Sequence, residues 1–315
     1  MNNNKDLSLL VEIAHMYYEE GAKQSEVAEA FNISRSLVSK YLTRARETGI
    51  VEIIIHDDFL HPHRNLEKKL KVKFDLTNAI VVPSQDDKQV QKKRVANAAV
   101  KFLLRKMENK ATVAVAPGTT IYSMISSIPS TVKHKDALFV SITGGLGNKQ
   151  TDIQSNVLCD LFAQKLEAKK LELHAPVTMD SEEAKKIMMD QSSVKKVLNK
   201  AKTADIAVVG IGGKPVYSTM TNAYMGQMNP EDELKHPEIV GDICYNFIDK
   251  NGRLVDCEWN KRVISIDLES IKKIPLVIAV AEGKEKVDSI YASIKGNLID
   301  VIVTDSATAM DLLEK

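Results

Sequence analysis

Short apolar runs that pass directly into glycine- or threonine-rich loops constrain this chain more than any other feature. Residues 112–116 (TVAVA) lead into Pro117-Gly118-Thr119-Thr120, and 137–142 (ALFVSI) into Thr143-Gly144-Gly145-Leu146-Gly147. Residues 205–209 (DIAVV) lead into Gly210-Ile211-Gly212-Gly213, and 276–280 (LVIAV) into Ala281-Glu282-Gly283. Runs this short and this apolar suit strands covered on both faces. Helical patterns fill the spaces between them, at 66–72, 88–107, 152–167, 181–190, 193–202 and 287–295. Further strands are expected at 78–82, 171–173 and 301–304, with a terminal helix after the last. Strands alternating with helices predict an α/β domain with a mostly parallel sheet.

In such sheets ligands bind beyond the carboxyl ends of the strands. Glycine-rich turns and helix N-termini there offer backbone amides to anions. Gly118-Thr119-Thr120, opening a helix, therefore reads as a phosphate cradle, with 143–147 and 210–214 as further loops. Glycines that serve only tight turns are the plainer alternative for any one loop, but the convergence of several favours a ligand pocket. Neither G-x-x-x-x-G-K-[ST] nor G-x-G-x-x-G occurs. Asp242 and Glu282 are available carboxylates, while His134, His174 and His236 sit in no recognisable motif. These are anion-binding parts without an evident reaction, so no catalytic residue and no cofactor is expected.

The first fifty residues have a different character. Residues 7–20 are amphipathic, with Leu10, Ile13, Ala14 and Tyr17 at helical spacing. Residues 24–46 (QSEVAEAFNISRSLVSKYLTRAR) read as two helices joined by a tight turn, sharing Val27, Phe31, Ile33, Val38 and Leu42 as a core, with the small Ala28 at the close approach. Asn32 supplies a residue that tolerates positive φ, and Ser34 an N-cap. From Ser34 to Arg46 there are four cations and no acid, whereas before Ser34 there are two cations and six acids. That segregation predicts a positive helix face for DNA. Arg35, Ser36, Ser39, Lys40 and Thr43 are the exposed candidates, the first two in the turn that reaches base edges. Lys40, Arg44 and Arg46 are assigned to phosphate. An ordinary helical hairpin with a solvated charged face is the alternative. Gly49 should end the helix near Thr48, and 50–55 (IVEIII) should form a strand.

At 315 residues, two domains are expected. The formal net charge of +1 excludes a uniformly basic coat, so DNA affinity must be local. Cys159, Cys244 and Cys257 form no C-x-x-C pair, and His61 and His63 have no further ligands nearby, so neither a disulfide framework nor a metal site is expected. No signal-peptide pattern and no apolar stretch of spanning length is present, which predicts a soluble cytoplasmic protein without a membrane partner.

Several motifs in order resemble those of the SorC/DeoR-type bacterial transcriptional regulators, over nearly the whole chain. They are SEVAEAFNISRSLVSKYLTRARETGIVEI (25–53), PGTTIY (117–122), TGGLG (143–147), HAP (174–176), ADIAVVGIG (204–212), GDICYNFIDKNG (241–252), NKRVISIDLES (260–270) and GKEKVDSIYASIKGNLIDVIVTDSATA (283–309). The resemblance implies a helix-turn-helix DNA-binding domain followed by a Rossmann-like α/β effector domain. The latter is related in fold to glucosamine-6-phosphate deaminase and ribose-5-phosphate isomerase. We place these at 1–56 and 66–315, joined by a linker at 57–65. Members typically bind phosphorylated sugars that alter operator binding, and often form tetramers. Matching the motifs implies that Gly118, Thr119 and Thr120 hold the effector phosphate with Lys286 as cationic partner. Thr143 and Gly144 would line the sugar site, Asp242 would bond sugar hydroxyls, and Gly210, Ile211 and Gly212 would form the facing wall.

Departures from the pattern refine this. Thr143 stands where some relatives carry Lys or Arg, so a covalent aldehyde adduct is not expected. Glu282-Gly283 stands where many carry Gly-Gly, placing a carboxylate beside a phosphate loop, where it repels an anion unless it points away. The related enzymes carry acid/base residues after the Gly-x-Gly loop, where this chain has Gly213-Lys214-Pro215-Val216-Tyr217. The expected function is a regulator of a carbohydrate operon whose partners are a palindromic operator, a phosphorylated sugar and further copies of itself as a tetramer. A sugar-phosphate isomerase or deaminase fused to a DNA-binding domain is the alternative.

Overall fold

A computed structural model describes residues 2–51, 63–147, 151–215 and 236–315. The chain divides into two compact units, Met1–His61 and Pro62–Lys315.

The first unit contains α1 (Asn2–Tyr18), α2 (Gln24–Ala30) and α3 (Arg35–Glu47). Ile13, Val27, Val38 and Leu42 form its centre, and Leu10 and Ala14 pack on Ala45. The turn between α2 and α3 has the chemistry expected of it. Asn32 adopts φ 51°, and Ser34 Oγ accepts a hydrogen bond from the Leu37 amide at 3.2 Å. Gly49 follows α3 at φ 74°. The strand expected at 50–55 does not begin at Ile50. The Val51 amide turns back to donate to the Ala45 carbonyl (2.9 Å), a helix-end closure that competes with strand pairing. Residues 52–55 lie outside the described residues, as do 57–62 of the expected linker.

The second unit is a mixed α/β domain. Its strands are β1 (Asn78–Val82), β2 (Thr112–Val115), β3 (Leu138–Ser141), β4 (Lys169–Leu171), β5 (Ile206–Gly212), β6 (Gly241–Ile243), β7 (Asn246–Ile248), β8 (Val277–Val280) and β9 (Val301–Asp305). Seven of them form a parallel sheet in the order β1-β9-β8-β5-β2-β3-β4, with β6 and β7 as an antiparallel hairpin on the end of β5. The apolar runs serve both faces because alternate strand side chains point opposite ways. Val113 and Val115 face α5 (Lys88–Lys106), α6 (Thr119–Ser126) and α7 (Ser155–Leu166) through Val95, Ile121 and Phe162. Ala114 and Ala116 face the other layer, with Leu70 of α4 (Arg64–Phe74) and Leu198 of α9 (Ser192–Lys202), which follows α8 (Glu182–Asp190).

Two expectations need correction. The strand read at 171–173 lies two residues earlier, at Lys169–Leu171. It is a sheet edge held by backbone pairing to β3, so its exposed lysines left no apolar signal. Gly210-Ile211-Gly212 is not a loop: β5 runs through it, because Ile211 and Gly212 pair with Ile243 and Asp242. Neither the hairpin nor the short helices α10 (Glu258–Arg262) and α11 (Leu268–Ile271) was anticipated. The chain closes with α12 (Val287–Lys295) and α13 (Ser306–Leu313).

Candidate functional site

From β2 the chain proceeds outward through β3 to β4. From β5 it proceeds the other way, through β8 to β9. The connections diverge between the carboxyl ends of β2 and β5, which opens a crevice at the switch point of the sheet. A cavity of about 110 Å³ lies there, lined by Gly118, Thr119, Thr120, Gly210, Gly212, Asp242 and Lys286 together with Tyr245 and Ile153. Most of the effector residues expected from sequence thus meet in one place.

Each wall has a local cause. Gly118 adopts φ 139° as the N-cap of α6 and provides no side-chain cap, so the first amides of α6 are presented to the cavity end. The turn Thr151–Ile153 buttresses this cap, the Gly118 amide donating to the Ile153 carbonyl at 3.0 Å. On β5, Gly212 is required by proximity: a Cβ there would fall on the Asp242 carboxylate. The Lys286 stem lies over Gly213, 3.8 Å from where a Cβ would stand.

Asp242 is 7 % exposed. Burial pushes its carboxyl up to about 6, against the opposing effects of a hydrogen bond from the Tyr245 amide and the charge of Lys286. Cys244 and Tyr245, the loop of the β6–β7 hairpin, have φ 51° and 65°. A two-residue hairpin loop with both residues left-handed is ordinarily built from Asn and Gly, so this turn is held by its surroundings. The Ser265 hydroxyl donates to the Cys244 carbonyl at 2.7 Å, and Trp259 Nε1 donates to the Tyr245 carbonyl at 2.7 Å.

Lys92 at the anion end is not among the residues expected from sequence, whereas Glu282 is the carboxylate expected beside the phosphate loop. Lys92, on α5, donates from Nζ to Thr119 Oγ1 at 3.1 Å. Glu282 is 9 % exposed, one of its oxygens is buried without a hydrogen bond, and burial raises its pKa while Lys286 and Lys92 oppose the rise. Helical spacing does not set Lys92 apart from the other cations of α5; the packing of α5 on α6 brings it here.

Thr143 and Gly144 are not brought to this cavity. Thr143 bridges to Ser265, and the Gly144 amide donates to the Ile264 carbonyl at 2.9 Å. Gly144 faces the Pro176 backbone so closely that a Cβ would overlap it. The glycines of 143–145 thus admit the 174–176 segment, a packing reason that their sequence context does not distinguish from a ligand loop.

In the first unit, Arg35, Ser36, Ser39, Lys40 and Thr43 are all exposed on one side of α3. Arg44 differs from the expectation: its guanidinium bonds Asp6 of α1 at 2.6 Å, and Asp6 also accepts from Tyr41 at 3.0 Å. The Arg44 bond, followed by that of Tyr41, lowers the Asp6 pKa. Arg46 Nη2 donates to Thr43 Oγ1 at 3.3 Å. Among the described residues, Lys40 and Arg35 have no such hydrogen bond or ion pair.

Comparison with known proteins gives a coherent result. A family model described as a putative sugar-binding domain matches residues 60–314. The sorbitol operon regulator of Klebsiella pneumoniae is 29% identical over 317 residues, covering 100% of both chains, and its full-length crystal structure matches with a TM-score of 0.74 over 98% of this chain and 99% of that one. The deoxyribonucleoside regulator of Bacillus subtilis is 28% identical across 97% of each chain. A DeoR family transcriptional regulator from Listeria monocytogenes is 32% identical, with a TM-score of 0.72 over 80% of this chain and 100% of that one. These relatives are named as regulators rather than enzymes, and among the described residues no helix is long and apolar enough to cross a membrane. With its switch-point cavity and a match to the putative sugar-binding domain over most of its length, the chain belongs to that family, which includes SorC- and DeoR-type transcriptional regulators.

Proposed function

We propose that this chain regulates transcription of a carbohydrate-metabolism operon, binding operator DNA through its first unit and a phosphorylated sugar in the switch-point cavity of its second. The observation that carries the reading is the convergence, at one sheet crevice, of the α6 N-terminus, Lys286 and the buried Asp242. The first supplies amides to a phosphate, the second a counter-charge, and the third a hydrogen-bonding group for hydroxyls. The cavity belongs to a Rossmann-like domain, and helices α1 to α3 form a helix-turn-helix unit. Residues 1–56 serve DNA binding and 66–315 serve effector binding and oligomerisation, joined by 57–65. Arg35, Ser36, Ser39, Lys40 and Thr43 meet the DNA.

Too few cations lie on α3 for tight binding by one copy, so several copies share a palindromic operator, and we take the assembly as a tetramer. The effector acts by binding one arrangement of the assembly better than another. The test is a thermal-shift screen against hexose and pentose phosphates, followed by fluorescence anisotropy on DNA from the chain's own upstream region. A hit that also changes DNA affinity supports the reading. A sugar phosphate that binds without altering DNA affinity refutes the regulatory half.

One observation favours a second reading. A buried carboxyl with a pKa of about 6 suits proton transfer near neutral pH, as a sugar-phosphate isomerase or deaminase would need. Turnover of ribose or glucosamine phosphates that disappears in Asp242→Asn would establish it.

A further inference from the structure

Glu282, two residues beyond the lining residue Val280, is the feature beside the cavity that anion binding leaves unexplained. It follows β8 and is nine-tenths buried, and one carboxylate oxygen has no hydrogen-bond partner. The charged groups that act on it come from three elements. They are Lys92 of α5, Lys286 and Glu285 of the turn Lys284–Lys286, and Asp305 at the end of β9. Asp305 is already committed to other donors: it caps α13 and accepts from Ser84 and Thr308. Lys92 and Lys286 are the cations left to balance Glu282. Both also stand at the cavity, Lys92 through its bond to Thr119 and Lys286 as a lining residue.

We propose that Glu282 competes with the ligand's phosphate for Lys92 and Lys286, and that phosphate entry is accompanied by protonation of the Glu282 carboxyl. The proposal rests on the reading of this cavity as a phosphate site and adds the way that site is regulated. A phosphate at the α6 N-terminus brings a second anion to the same two ammonium groups. A buried carboxylate beside it then loses its balancing charge and feels like-charge repulsion, both of which favour the neutral acid. Burial already raises its pKa, and the entering anion acts in the same direction. The proton comes from solvent and resides on a Glu282 oxygen. Sugar-phosphate affinity therefore falls as pH rises, by up to about tenfold per pH unit where one proton is taken up.

The test is isothermal titration calorimetry of the full chain in buffers of different ionisation heat. The probe is the hexose or pentose monophosphate giving the largest thermal shift, with inorganic phosphate as a second. Wild type should take up a fraction of a proton near pH 7 beyond that taken by Glu282→Gln, and between pH 6.5 and 8.5 its affinity should fall about tenfold more than that of Glu282→Gln. The phosphate's own second ionisation, near about 6, contributes equally to both proteins and cancels. Glu282→Ala, which also lacks the carboxyl, should behave as Glu282→Gln does. Equal proton uptake and equal pH slopes in wild type and both variants would overturn the proposal while leaving the phosphate site intact. Absence of binding by any sugar phosphate to wild type would overturn both.

Discussion

Replacing Asp242 by Asn should make the empty protein more stable at neutral and alkaline pH and leave it unchanged in acid. The carboxyl lies 7 % exposed at the back of the cavity, and its pKa rises on folding from 3.8 to about 6. A group whose pKa rises on folding binds more protons folded than unfolded between those two values. Stability therefore falls as pH rises from about 4 to about 6, and above that window the full penalty persists. At ~1.4 kcal/mol per pKa unit, the penalty reaches about 3 kcal/mol. Asn keeps an oxygen to accept the Tyr245 amide and carries no charge, so Asp242→Asn should recover most of it. For a domain of this size that is at most roughly 10 °C in melting temperature. Differential scanning fluorimetry of the unliganded protein at pH 4.5, 6 and 8 measures the gap directly. It should be about 1 kcal/mol at pH 4.5 and widest, about 3 kcal/mol, at pH 8. A variant that is less stable at pH 8, or a gap that does not change with pH, would refute a buried, ionised Asp242.

Three further outcomes follow from single contacts. Gly212→Ala drives a methyl onto the Asp242 carboxylate, and overpacking of this kind destabilises by about 1–3 kcal/mol, so denaturant melts should shift and sugar-phosphate binding should fall with them. Ser34→Ala removes the oxygen that accepts the Leu37 amide and should destabilise α3 by about 1 kcal/mol, visible as a lower melting temperature with a compensating loss of DNA affinity. Lys40→Ala should lower DNA affinity and reduce the salt slope by about one, whereas Arg44→Ala, bonded to Asp6, should leave the salt slope unchanged; anisotropy between 50 and 200 mM salt decides.

The strands and helices of the parallel sheet were legible because covered strands must be apolar on both faces. β1 falls at the expected Asn78–Val82, and α12 at the expected Val287–Lys295. What escaped depends on partners distant in sequence. β5 continues through two glycines because β6, some thirty residues later, offers an edge to pair with, and glycine propensity argues against a strand until that edge is known. The β6–β7 turn uses Cys244 and Tyr245 instead of Asn-Gly, so its local chemistry carries no hairpin signal. Its conformation is imposed by Ser265 and Trp259. Arg44 and Lys92 show the same limit for charges. A lone cation on a helix reads as available for phosphate or solvent, and only the packing of α1 on α3, or of α5 on α6, reveals that Asp6 occupies one while Thr119 aims the other at the cavity.

Apart from Arg44, these departures cluster around the cavity, and that clustering bears on how a bound sugar phosphate would act at a distance. Asp242 in the crevice and Glu282 beside it are buried carboxyls whose ionisation burial disfavours, and the adjoining turn has two non-glycine residues at positive φ. Left-handed non-glycine residues are each disfavoured by about 1–3 kcal/mol and persist where surroundings over-determine them. A ligand that donates hydroxyls to Asp242 and draws Lys92 and Lys286 toward a phosphate removes part of this unfavourable energy as it binds. The stabilisation it confers is thus largest in whichever arrangement of β5, β6 and α6 best satisfies those groups. A ligand shifts a conformational equilibrium only by its difference in affinity between the two states. Groups left unsatisfied in the empty site are a direct source of that difference, because the arrangement that satisfies them gains most from the ligand's arrival.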